Sequence, residues 1–110
     1  MPKQPDLGGL MKQAQQMQAQ MMKAQEELKS ETVEASAGGG MVTVRMTGDM
    51  ELEQITIDPE AVDPQDLDLL QDMVVAAVNE AVRSARELAE RKLGAVTGGL
   101  GGLGGMPPGL

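Results

Sequence analysis

Apolar residues recur with a single period along the first thirty positions. Leu7, Leu10, Ala14, Met17, Met21, Ala24 and Leu28 are spaced alternately three and four apart, the stripe of an amphipathic helix. Most of the positions between are Gln, Lys and Glu, which are good helix formers. The period runs over residues 7–30 and predicts a helix of about 20 residues, with Asp6 as its N-cap. Such a helix is roughly 30 Å long at 1.5 Å per residue. Its stripe is narrow, so alone in water it would be marginal, and it needs a partner surface.

At Thr32 the period changes to two. Val33, Ala35 and Ala37 alternate with Glu34 and Ser36, and beyond three glycines Val42, Val44 and Met46 alternate with Thr43, Arg45 and Thr47. Thr47-Gly48-Asp49 reads as a turn and Glu51 to Ile57 as a third strand. Leu52 is out of phase with Ile55 and Ile57, which marks a bulge or an edge strand. Strands this close in sequence form an antiparallel meander with one apolar face to be covered. Asp63-Pro64-Gln65-Asp66 then opens a second helix, with Asp63 as N-cap and Pro64 at the first helical position. Leu67, Leu70, Val74, Ala77, Val78, Ala81, Ala85 and Leu88 make its apolar face, and Gly94 stands where a C-cap is expected. At about 45 Å this helix outruns a three-strand sheet, so its end projects. The fold class is α+β, in the order α-β-β-β-α. The chain divides into an N-terminal helix (1–31), a sheet and long helix that form one domain with it (32–93), and a glycine-rich tail (94–110) that reads as disordered.

Composition narrows the chemistry. The chain has no Cys, His, Phe, Trp or Tyr. Thiolate and imidazole zinc sites are therefore ruled out, as are Ser-His and Cys-His nucleophiles. Only an oxygen-ligated Mg²⁺ or Ca²⁺ stays open, and no cofactor is expected. Base stacking on aromatic rings is excluded too. No apolar signal segment and no membrane span is visible, and the lack of cysteine fits a reducing compartment, so a cytoplasmic protein is expected. A core of Leu, Val, Ile, Ala and 10 Met specifies shape loosely. A chain of 110 residues also buries a modest share of its surface, and a homo-oligomer would add burial.

The glycines raise the question of a phosphate loop. Gly38-Gly39-Gly40 is followed by Met41 and a strand, not by Gly-Lys-Ser/Thr opening a helix, so the convergence of amides and lysine on phosphate fails. Gly99-Leu100-Gly101-Gly102-Leu103-Gly104 matches a dinucleotide fingerprint in letters but lacks the strand before it. The first three glycines instead suit a hairpin needing positive φ. Asp66, Asp68 and Asp72 sit near the start of the second helix, where its dipole favours acids, and no base or nucleophile accompanies them. Catalysis is not expected.

Charge is unevenly placed. The formal net charge is −8, yet residues 46–82 hold ten acids and no base, leaving nine bases against seven acids elsewhere. The middle of the fold should repel DNA, while the helices carry Lys12, Lys23, Lys29, Arg83, Arg86, Arg91 and Lys92. Arg83 with Glu87, and Arg86 with Glu90, are spaced to pair along a helix, a purely solvated alternative. The Met/Ala stripe suits packing on its own subunit, pairing with a twin helix, or a groove for another protein.

Four segments in this order carry a resemblance: "LMKQAQQMQAQMMKAQEEL" (10–28), "ASAGGGMVTVRMTGDMELEQITIDP" (35–59), "DLLQDMVVAAVNEAVRSARE" (68–87) and "TGGLGG" (97–102). Together they resemble the YbaB/EbfC family of bacterial nucleoid-associated proteins. The resemblance implies the α-β-β-β-α fold, a tweezer-like homodimer, and binding to double-stranded DNA in the nucleoid. It attributes DNA contact to protruding helical regions, which here carry the seven lysines and arginines just named. The family's association with recombination and replication genes implies a competing role, a protein-interaction module whose Met-rich helix and tail dock a recombination or replication partner.

Overall fold

The computed structural model describes residues 7–101. Its elements are α1 (Leu7–Ser30), β1 (Thr32–Ala37), β2 (Val42–Thr47), β3 (Leu52–Ile57), one turn of 3₁₀ helix (Pro59–Ala61) and α2 (Leu67–Gly101). The three strands form an antiparallel sheet in the order β1-β2-β3, the α+β meander that the change of period predicts. Asp6, the expected cap of α1, lies outside the described residues.

Both turns follow from their residues. Gly38, Gly39 and Gly40 all have positive φ, at 64°, 68° and 94°, a conformation that costs glycine nothing and other residues a Cβ clash. Met73 of α2 sits directly over Gly38, where a Cβ would meet its sulfur. In the second turn the Thr47 hydroxyl accepts from the Glu51 amide at 2.9 Å and pairs with the Asp49 carboxylate, while the Gly48 amide donates to the Glu31 carbonyl at 2.8 Å. A Cβ on Gly48 would come within 2.6 Å of Leu28 Cδ2, so this turn is shaped to receive the end of α1.

The core is small and built from alternation. Val42, Val44 and Met46 on β2 pack against Ala77, Ala81 and Ala85 on α2, each fully or nearly fully buried. Val33, Ala35 and Ala37 of β1 flank them. Ile57, Ile55 and Leu52 pair with Val42, Val44 and Met46 and so share their face, but they remain 37%, 39% and 44% exposed. The register shifts between Arg45 and Met46. Glu53 is the extra residue, and it returns Leu52 to the phase of Ile55. Leu52 thus shows both features its phase suggests, a bulge and an edge strand. A helix about 10–12 Å across spans two strands at ~4.8 Å spacing. Here α2 takes β1 and β2, leaving β3's apolar side uncovered.

Two expected helix limits are corrected. α2 starts at Leu67 rather than just after Asp63. Asp66 Oδ1 accepts from the Leu69 amide at 3.3 Å, the geometry of an N-cap, whereas Asp63 makes a separate turn, its side chain accepting from Gln65 and its carbonyl from Asp66. Two aspartates three apart compete for the role, and the one adjoining the apolar periodicity wins. At the other end the helix passes through Gly94 and continues to Gly101. A glycine C-cap requires positive φ, and Gly94 does not have it; half-buried Leu93 and Val96 carry the helix onward. Of the expected tail, residues 94–101 are helical and 102–110 lie outside the described residues. This geometry makes a prediction of definite sign. With open space where its Cβ would go, Gly94→Ala should stabilise the protein by about 0.5–1 kcal/mol in urea unfolding. A left-handed cap at Gly94 would give the opposite sign. No helix among the described residues is long and apolar enough to cross a membrane.

Candidate nucleic-acid interface

α1 buries only Ala24 and Leu28 of its 24 residues, both near its C-terminal end. Leu28 meets the Gly48 turn, and Ala24 lines a shallow groove facing Ala95 and Val96 of α2. The two helices therefore run alongside each other beyond the sheet, and the first half of α1 stands almost wholly exposed. Met17, Met21 and Met22 line a second shallow depression along it.

The seven candidate cations divide by position. Lys12 and Lys23 are exposed and eleven residues apart, which is close to three helical turns. They consequently lie on one line of α1, about 16 Å apart. Lys29, on another side of α1, pairs with Glu26 at 3.5 Å. Arg83 and Arg86 lie on the side of α2 turned away from Ala81 and Ala85, and both are exposed, as is Arg91. Arg83 pairs with Glu80 at 3.7 Å, not with Glu87, and among the described residues no ion pair joins Arg86 to Glu90. Acid before base is the better order along a helix, and both expected pairs had the reverse order. Exposed pairs of this kind contribute at most about 1 kcal/mol, so a phosphate competes readily for Lys29 or Arg83.

Lys92 differs from the other six. Its side chain is 21% exposed, and its Nζ donates to Glu31 at 2.9 Å and to Glu27 at 3.3 Å, across the gap between helices. The hydrogen bond to Glu31 raises its pKa above the ordinary lysine value; burial opposes the shift, while the bond to Glu27 and the charges of both acids add to it. Periodicity held a signal for this placement, because Lys92 falls four residues after Leu88 and four before Val96, in phase with the apolar face. Arg45, absent from the candidate set, lies exposed on β2 beside Glu34 at 3.5 Å. Among the described residues no group of three or more acids is placed to hold a metal ion.

The exposed lysines and arginines named here, Arg45 apart, lie on the two helices. The model of the YbaB/EbfC DNA-binding family matches residues 3–100. A nucleoid-associated protein of Acetivibrio thermocellus is 55% identical over 106 residues, covering 93% of this chain and 94% of the relative. One from Saccharopolyspora erythraea is 54% identical, covering 97% and 96%. The crystal structure of an uncharacterized protein from Helicobacter pylori superposes with a TM-score of 0.65 at 25% identity, over 83% of this chain and 92% of that one. The chain belongs to the YbaB/EbfC DNA-binding family. That family is non-enzymatic.

Proposed function

We propose that this protein binds double-stranded DNA in the bacterial nucleoid as a homodimer whose arms are α1 and the projecting half of α2. The observation that carries the reading is the separation of charge. Lys12 and Lys23 line one side of an exposed arm, while the ten acids of residues 46–82 are confined to the β2–β3 turn, β3, the connection that follows it and the first half of α2. Lys12, Lys23, Lys29, Arg83, Arg86 and Arg91 are the proposed phosphate contacts, and such contacts give affinity without base readout. The dimer rests on Leu52, Ile55 and Ile57, an apolar strip at a sheet edge that the chain's own helix does not reach. A second copy related by a two-fold axis would cover it with the same strip. Two arms at fixed spacing then raise a modest single-arm affinity through bivalency.

A gel-shift titration at roughly 50 and 200 mM salt tests the binding. With three or four phosphates neutralised, affinity should fall about 40–150-fold between the two conditions. No shift at micromolar protein in the lower salt rejects DNA binding outright.

A further inference from the structure

α1 is attached to the rest of the fold by little. Two buried side chains, Ala24 and Leu28, hold a 24-residue helix, and both lie in its last two turns. A rotation of about 10° at Leu28 would move Lys12, roughly 24 Å away along the helix, by about 4 Å. That is far more than a hydrogen bond tolerates. Something else must hold the angle.

We propose that Lys92 is a positioning residue, a strut between α2 and α1 that sets the orientation of the arm, and that it is not a phosphate contact. Glu27 and Glu31 lie one turn apart at the base of α1, and one ammonium bridges both at 3.3 and 2.9 Å. The second oxygen of Glu31, Oε2, is buried and has no hydrogen-bond partner. Lys92 is therefore what compensates the Glu31 charge, and removing it leaves a part-buried carboxylate that must move toward water. Movement of Glu31 disturbs the segment linking α1 to β1, because the Glu31 carbonyl also accepts from the Gly48 amide. Lys92 is charged at neutral pH in any case, and the hydrogen bond to Glu31 raises its pKa further. Its contribution is present below the ordinary lysine pKa and is lost only as pH rises through the elevated one, so arm geometry should not respond to pH near neutrality.

The functional half of this inference rests on the DNA-binding reading; the structural half does not. The experiment uses the full chain with Lys92→Met, Lys92→Arg and the double change Glu27→Gln with Glu31→Gln. Amide hydrogen exchange without DNA comes first. Lys92→Met and the glutamine pair should each speed exchange along α1 by about 10-fold while β2 is unaffected, and Lys92→Arg should restore protection. Binding to a DNA duplex across a salt series follows. A strut predicts a Kd raised about 3–10-fold with an unchanged salt slope for Lys92→Met. It predicts weaker binding for the glutamine pair as well, although that pair removes two negative charges and would otherwise tighten the complex. A salt slope reduced by about 0.9 per binding site in Lys92→Met, or tighter binding by the glutamine pair, overturns the proposal. Unchanged exchange of α1 overturns it too, even if the protein binds no DNA.

Discussion

Ala81→Leu should lower the midpoint of thermal unfolding by roughly 5–20 °C at fixed protein concentration. Ala77, Ala81 and Ala85 have no accessible surface and lie directly on Val42, Val44 and Met46. Nothing larger than a methyl group fits between helix and sheet without pushing them apart. Overpacking of this kind costs about 1–3 kcal/mol, and each kcal/mol moves the midpoint of a domain near this size by about 4–8 °C. The neighbouring Ala76 is exposed, and Ala76→Leu should stay within about 0.5 kcal/mol of the parent. Calorimetry on the pair isolates the packing term, since both changes add the same atoms to the same helix. Equal effects at the two positions would contradict the helix-sheet contact described above.

The second large effect concerns assembly. Ile55→Glu places a charge in the middle of the uncovered strip on β3. With the proposed dimer, light scattering should report the mass of two chains for the parent and of one for this variant, because a carboxylate buried against its own symmetry mate is uncompensated. DNA affinity should fall roughly 100-fold as the two arms become independent. Thr56→Glu adds the same charge to the opposite, polar face of the strand beside Thr43 and should leave the mass unchanged. A dimeric mass for Ile55→Glu would move the interface away from β3.

Most of the fold was legible because each element announces its own period. Val42, Val44 and Met46 can alternate only as a strand, and the spacing of Leu67, Leu70 and Val74 only suits a helix. The two limits share one cause: a capping residue type favours a helix end but does not compel one. Gly94 has the right identity and the wrong φ, because α1 lies alongside and rewards continuation. Exposure of β3 was hidden because alternation reports which side of a strand is apolar, not how many strands one helix can cover. In the sequence Lys92 stands with the other six candidate cations, because local rules see partners three or four residues away. Its true partners are 61 and 65 positions distant, and only its phase with Leu88 and Val96 hinted at them.

The alanine contact between α2 and the sheet has a mechanical side. A row of methyl groups lets the axis of α2 come close to the sheet, and the larger Leu70, Val74, Val78 and Val82 packed against the same core fix where along the sheet it sits. Two further contacts hold it lengthwise, Met73 over Gly38 and Lys92 tethered to α1. A shift of α2 along its own axis would have to unseat all of these side chains together, so the reach of its projecting end is set by distributed packing rather than by one contact.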